Sequence, residues 1–329
     1  MAVRVSIVVP TYRRPKSLAR CLEALACQEM QADEILVVVR DTDIASRQVI
    51  ERFTGERLRP VLVDIAAGRP GLVAAMNAGV DASSGTIVCL TDDDAAPRVD
   101  WLARIVAAFA DDPSIGAVGG RDWVYHDGKV EAGVESVVGT VSWYGRIVGN
   151  HHLGVGPSRD VAVLKGVNLG VRGDLLRQIG FDTRLRGTST EHHWEVALCL
   201  KLLRMGYRVV YDPAIVVEHF PQPRVDEARD FRPRQVRDAA HNETLALLEH
   251  LKPIGRVAHL LVATAVGTRA EPGLAQSVRA LVGSGTPRLR YVAANLSGRG
   301  LAVFAFMRAR RRCFARTRKA SRGRRGTAQ

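Results

Sequence analysis

The stretch Thr86-Ile87-Val88-Cys89-Leu90-Thr91-Asp92-Asp93-Asp94 decides how this chain is read. Thr86–Leu90 predicts a short strand, apolar enough to be buried on both faces. It runs without a break into three consecutive carboxylates. Crowding like charges at a strand end is costly unless a cation compensates. Hard divalent ions such as Mg²⁺ or Mn²⁺ take oxygen ligands and are held by one or two carboxylates plus substrate phosphates. Alternate residues of an extended segment point the same way, so Asp92 and Asp94 can share a site while Asp93 points elsewhere. The plainer alternative is an acidic turn capping the next helix, but Asp100 stands closer to the helix predicted from Trp101.

Outward from this point the chain alternates strand and helix. Val3–Val9 predicts a strand, and Leu18, Cys21, Leu22 and Leu25 give Pro15–Gln28 the spacing of an amphipathic helix, with Pro15 in its first turn. Ile35–Val39 and Val61–Ile65 predict two more strands, separated by a polar helix from Ile44 to Phe53. A helix at Gly71–Val80 precedes the decisive strand; a helix at Trp101–Phe109 and a strand at Ile115–Gly119 follow it. Repeated β-α units with buried strands predict an α/β fold, a mainly parallel sheet covered by helices on both faces. In such sheets ligands bind at the carboxyl ends of the strands, where Thr11–Arg14 and Asp92–Asp94 both lie. Residues 121–163 predict short strands and loops. A helix follows at Trp194–Met205, then a turn at Tyr211-Asp212-Pro213 and a strand at Ile215–His219. Pro221, Pro223 and Pro233 mark a boundary, and the pattern beyond is helical.

Composition narrows the class. With 329 residues, 47% hydrophobic and 25% charged, the chain can bury a sizeable core and is not disordered as a whole. Its five cysteines are scattered and never spaced as C-x-x-C, which predicts reduced thiols and a cytoplasmic protein. No signal peptide or membrane span is evident. Most of the net charge of +13 is local: Arg308–Gln329 holds ten basic residues and no acidic one. That tail predicts either a disordered, solvated end or contact with the inner membrane face. Few aromatics interleave with its arginines, so nucleic acid is not expected as a partner.

Several segments, in order, give the chain a resemblance to a known family. They are S-I-V-V-P-T-Y-R-R (Ser6–Arg14), G-L-V-A-A-M-N-A-G (Gly71–Gly79), the strand ending in D-D-D, L-K-G-V-N-L-G-V-R (Leu164–Arg172), G-F-D (Gly180–Asp182) and Leu198–Pro213. Together they resemble the family 2 glycosyltransferases over residues 1 to about 220. The resemblance implies a GT-A fold over residues 1–222 and a nucleotide diphosphate sugar as donor, uridine-linked by default. It further implies a divalent metal, Mn²⁺ or Mg²⁺, and inversion at the anomeric carbon. Residues 223–307 are then a helical C-terminal region and 308–329 a basic, disordered tail. The acceptor stays open among a polysaccharide or other glycan, a lipid-linked glycan and a small molecule, and a homo-oligomer stays open as well.

Carried onto matching positions, the resemblance implies that Pro10, Thr11, Arg13, Asp41, Asn77, Asp92 and Asp93 meet the nucleotide sugar. It implies that Asp92, Asp94 and His219 hold the metal, and that Trp194, Asn168 and Lys165 lie on the acceptor and donor-sugar side. Two departures stand out. Trp194-Glu195 replaces the family's Glu-Asp, which makes Glu195 the implied general base, one methylene longer than usual. Val39-Arg40-Asp41-Thr42-Asp43 replaces the acidic pair after the second strand, with Asp41 as substitute reader of the nucleobase. A non-catalytic nucleotide-sugar-binding module is the alternative. A nucleotidyltransferase is discounted, because Pro10–Arg14 stands where a glycine-rich phosphate loop would be needed.

Overall fold

The computed structural model describes residues 3–53, 60–66, 71–110, 112–187, 190–222, 232–276 and 287–325, with side chains to residue 311. The chain divides into two units. One comprises Met1–Ser142, Arg146–Thr183 and Gly187–Arg229; the other comprises Trp143–Gly145, Arg184–Arg186 and Asp230–Gln329.

The first unit is built in chain order from β1 (Val5–Thr11), α1 (Pro15–Ala26), β2 (Glu34–Arg40), α2 (Ile44–Arg52), β3 (Pro60–Ile65), α3 (Leu72–Ala82), β4 (Ile87–Leu90), β5 (Ala95–Pro97) and α4 (Trp101–Ala110). It continues with β6 (Ile115–His126), the short strands β7 (Lys129–Val130), β8 (Thr140–Val141), β9 (Ile147–Val148) and β10 (Arg159–Asp160), then β11 (Leu169–Arg172), α5 (Gly173–Ile179), α6 (Trp194–Arg204) and β12 (Arg208–His219). The sheet runs β10-β12-β6-β11-β4-β1-β2-β3. The pairs β1–β2, β2–β3, β1–β4 and β6–β12 are parallel. β11 lies antiparallel between β4 and β6, so that Leu169 faces both Leu90 and Gly119. Every residue of β1 is buried, Ser6 included. The Ser6 hydroxyl donates to Glu34 and accepts from the Gly85 amide at 2.8 Å, which satisfies the polar group inside the sheet.

Most predicted elements appear within two or three residues of their expected ends. β6 and β12 are the exceptions. β6 continues past Gly119 to His126, and β12 runs from Arg208 through the expected turn at Tyr211–Pro213. A bulge between Asp212 and Val216 absorbs Pro213 without ending the ladder. The four described cysteines are free thiols, three of them buried.

The second unit contains α7 (Pro233–His250), α8 (Pro253–Ala265) and α9 (Pro287–Arg325). α9 runs to Arg325, into the basic segment that begins at Arg308. Arginine, alanine and lysine are good helix formers, and no proline follows Pro287 to stop the run. Among the described residues no helix is long and apolar enough to cross a membrane. The interior of this unit is charged. Arg299, 3% exposed, donates to Glu243 at 3.0 Å, Thr244 at 2.7 Å and Glu271 at 2.7 Å, and its Nε reaches Asn295 at 2.8 Å. His259 lies 3.3 Å from the same guanidinium. Burial pushes the His259 imidazole down to about 4; Glu243 pulls it up and Arg299 pushes it further down.

A histidine held neutral inside the fold but free to protonate when unfolded contributes stability above about pH 6.5 that is lost as the pH falls toward 4. Thermal unfolding between pH 7.5 and 4.5 is expected to cost wild type roughly 2–3 kcal/mol more than His259→Gln. Equal pH slopes in the two proteins would refute this assignment.

Candidate active site

The acidic triple leaves β4 at the carboxyl edge of the sheet, and three other strands supply its partners. From the loop after β1, Arg14 reaches two of the carboxylates. Its Nε donates to Asp93 at 3.1 Å, a terminal nitrogen makes a second, closer contact with Asp93, and Nη1 donates to Asp94 at 2.8 Å. Thr11 Oγ1, at the end of β1, donates to Asp93 at 2.6 Å. From the other side, β5 pairs antiparallel with β12, placing His219 opposite Ala95. The Phe220 amide donates to the Asp94 carbonyl at 2.9 Å, and the Gln222 amide donates to the Asp94 carboxylate at 3.0 Å. His219 then stands between two carboxylates, with Nε2 3.5 Å from Asp94 and Nδ1 3.6 Å from Asp122. Asp122 lies within β6, is fully buried, and forms an ion pair with Lys165.

The electrostatics follow from these contacts. Burial, reinforced by its acidic neighbours, pushes Asp93 up to about 7 against the pull of Arg14 and Thr11. Burial also opposes ionisation of Asp94, yet His219 and Arg14 outweigh it and hold Asp94 down to about 2. Asp122 is likewise held low, by His219 and Lys165 against its own burial. His219 is raised to about 9, because Asp122 and Asp94 overcome a desolvation that alone would lower it.

Asp92, Asp94 and His219 each offer a ligand atom, and these atoms all lie within 4.8 Å of one another. Two carboxylates and an imidazole suit Mn²⁺ or Mg²⁺. Asp94 Oδ1 is buried and makes no hydrogen bond, the condition expected of an oxygen shaped for a cation. The donor set therefore fits a divalent metal.

Glu195 lies in the first turn of α6 and lines a cavity of about 260 Å³ with Lys165, His152, His193, His151 and Asn150. Burial raises its carboxyl above the usual range, and the charges of His193, Lys165 and Asp92 all act on it. His193, just before α6, has φ 66°, a left-handed turn that starts the helix.

Several of the expected site residues have partners within the protein. Asp93, expected to meet the nucleotide sugar, is fully buried and engaged by Thr11 and Arg14. Arg14 is the guanidinium that faces the acids; the Arg13 side chain is exposed, 5.1 Å from the Tyr12 ring. Asp41 is exposed at the end of β2, while the buried acid there is Asp43. Asp43 caps α2 and accepts from the Arg13 amide at 2.5 Å, where φ of 54° puts the chain in a left-handed turn. Asn77 exchanges two hydrogen bonds with the backbone of Phe181, at 3.1 and 2.8 Å. Asn168 is fully buried, accepting from Trp101 Nε1 at 2.9 Å and donating to the carbonyls of Arg121 and Ile215. Trp194 packs edge-on to Phe181 at 5.2 Å and fills the space that a Cβ on Gly166 would need. Pro10 is buried within β1. Asp93 and Asn168 sit where the sheet excludes water, so an internal partner is obligatory.

The sequence reading passed over Arg14, Asp122 and Glu191. Glu191 Oε2 accepts from the Leu72 and Val73 amides at 2.8 and 3.1 Å, capping α3 from 118 residues away. Gly71, at φ 116°, leaves the room for that carboxylate.

Residues 6–156 match the family model described as Glycosyl transferase family 2. Glucosyl-dolichyl phosphate glucuronosyltransferase of Haloferax volcanii is 26% identical over 226 residues, covering 66% of this chain and 69% of that protein. Among solved structures, mannosyltransferase PcManGT from Pyrobaculum calidifontis, in complex with GDP-Man and Mn²⁺, superposes with a TM-score of 0.54 at 20% identity, covering 93% of this chain and 88% of that one. GalNAc-T7 with UDP, GalNAc and Mn²⁺ gives 0.60 at 13% identity, covering 75% of this chain but 48% of that one. The sheet order, the acidic strand end and these matches agree: residues 6–156, somewhat less than half of the chain, match the family 2 glycosyltransferases.

Proposed function

We propose that the protein is an inverting glycosyltransferase that takes a sugar from a nucleoside diphosphate, UDP by default, and adds it to an acceptor hydroxyl. The observation carrying this reading is the convergence of Asp92, Asp94 and His219 within 4.8 Å at the sheet edge, with Glu195 electrostatically coupled to Asp92 in the neighbouring cavity. The Mn²⁺ in the two solved relatives supports a divalent metal on the diphosphate, and the donor set here suits one. A bound divalent cation would neutralise the charge that builds on the departing nucleoside diphosphate.

The protein's own groups do the rest. Glu195, made more basic by burial, takes the acceptor proton as the hydroxyl oxygen bonds to the anomeric carbon and the sugar–phosphate bond breaks. Asp122 stands 3.6 Å from His219 Nδ1 and attracts it electrostatically, which leaves Nε2 toward Asp94, as a carboxylate behind a metal-binding histidine would. Arg14 holds Asp93 and Asp94 together against their repulsion. Lys165, paired with Asp122 and lining the cavity, stands on the donor-sugar side. For the acceptor, the name of the Haloferax relative supports a lipid-linked sugar, and the basic C-terminal segment supports contact with a membrane surface. The 1–222 and 223–307 division is retained as the functional one, catalysis in the first part.

Glu195→Gln is expected to lower turnover by about 10²–10⁴-fold while leaving donor affinity within a few-fold. Turnover equal to wild type would remove the base assignment and leave a binding module in its place.

A thermal-shift screen of nucleotide sugars with and without Mn²⁺ tests the site as a whole. One donor class is expected to stabilise wild type only when metal is present, and Asp92→Asn to abolish the effect. Metal-independent stabilisation would overturn the site.

Because His219 holds a proton up to about 9 without metal, Mn²⁺ must displace it. Calorimetric Mn²⁺ affinity is expected to rise between pH 6.5 and 8.5, and Asp122→Asn to weaken it about 10–100-fold at neutral pH. A pH-independent affinity would exclude His219 as a ligand.

A further inference from the structure

The Asp94 carboxylate is held from two sides, and both holds fall on the same oxygen. Arg14 Nη1 donates to Oδ2 at 2.8 Å, and the Gln222 amide donates to Oδ2 at 3.0 Å. An ionised carboxylate oxygen has two lone pairs, and these two donors match them. The other oxygen is treated differently. Oδ1 is buried, makes no hydrogen bond, and lies 3.5 Å from His219 Nε2.

The guanidinium that occupies Oδ2 is itself pinned. Its Nε donates to Asp93 at 3.1 Å, and Nη2 makes a second, closer contact with the other oxygen of Asp93. Asp93 is fully buried and accepts from the Thr11 hydroxyl at 2.6 Å. The Arg14 backbone immediately precedes α1, and its carbonyl accepts from the Leu18 amide at 3.0 Å in the first turn. One residue earlier, Arg13 is in a left-handed turn, and its amide donates to Asp43, the buried cap of α2. With one edge of the planar fork fixed on Asp93, Nη1 is aimed in a single direction.

We infer that Arg14 is a positioning residue that sets which dication the protein takes: by occupying Asp94 Oδ2 it leaves that carboxylate one ligand oxygen, Oδ1, and so favours Mn²⁺ or Mg²⁺ over Ca²⁺. Ca²⁺ gathers about six to eight oxygens in a flexible shell and gains from carboxylates that offer both oxygens. Mg²⁺ keeps a near-octahedral shell built from one or two carboxylates, water and substrate phosphates. A lysine at this position would supply the charge without the planar fork. A mere neutralising charge and a tether differ in one measurable respect. Loss of a positive charge acts alike on any dication. Loss of the tether changes how many oxygens each ion can reach. The inference rests on the metal reading proposed above and adds to it the choice of ion and the residue that makes the choice.

The test is calorimetric titration of the full-length protein with MnCl₂ and with CaCl₂ at one pH, read as the ratio of the two dissociation constants. Wild type is expected to prefer Mn²⁺. Arg14→Gln and Arg14→Lys are each expected to narrow the preference by about tenfold. Asp93→Asn keeps the Arg14 charge but loosens its anchor, and is expected to narrow the preference by a smaller factor. Should Arg14→Gln fail to fold, Arg14→Lys and Asp93→Asn carry the comparison. The inference is overturned if the ratio stays at the wild-type value in the Arg14 variants, whatever happens to the separate affinities. It is also overturned if wild type binds Ca²⁺ as tightly as Mn²⁺. Failure of the metal reading looks different: wild type would bind neither ion, or Asp92→Asn would bind Mn²⁺ as wild type does.

Discussion

Three carboxylates in a row at the end of a buried strand repel one another, and the site is organised around that repulsion. Arg14 answers it from one side, engaging Asp93 and Asp94 together. His219 answers it from the other, with the fully buried Asp122 behind it. Asp92 completes the metal-sized cluster. Because Arg14 neutralises the inner pair, the remaining negative potential falls on the outer edge, where a cation with phosphate ligands gains most. Asp93 locks the strand end to β1, while Asp92 and Asp94 share the cluster with His219.

The partners arrive through sheet pairing. β5 is only three residues long, yet its antiparallel pairing with the end of β12 brings His219 alongside Asp94 from 125 positions away. β11, inserted between β4 and β6, carries Asn168 at its start, and that amide ties Trp101, Arg121 and Ile215 into one rigid layer beneath the cluster. Glu191 fastens the start of α3 and stands only a few residues before Glu195, so α3 and the segment leading into α6 share an anchor. Strands and helices, not free loops, hold the acidic cluster and Glu195.

The helical unit works under different constraints. It buries an arginine with two glutamates and a histidine, and it leaves isoleucine, valine and leucine in contact with solvent. A buried ion network of this kind adds little net stability, yet it penalises any rearrangement that would unpair its members.

Sequence alone determined the alternating elements, the buried strands and the position of the acidic triple, because apolar periodicity and strand-end polarity are local properties. It also placed Asp92, Asp94 and His219 together through the family resemblance. It did not show that Asp93, Asn77, Asn168 and Trp194 have partners distant in the chain. It stopped β6 and β12 short, since the glycines after Val118 and Pro213 read as breaks until a neighbouring ladder and a bulge carried the strands through. Which arginine bridges the acids, which acid orients the histidine and which helix face stays uncovered were decided only by the tertiary structure. Those outcomes depend on contacts between segments tens to more than a hundred residues apart, and no local pattern encodes which of several like side chains will find itself buried beside its counter-charge.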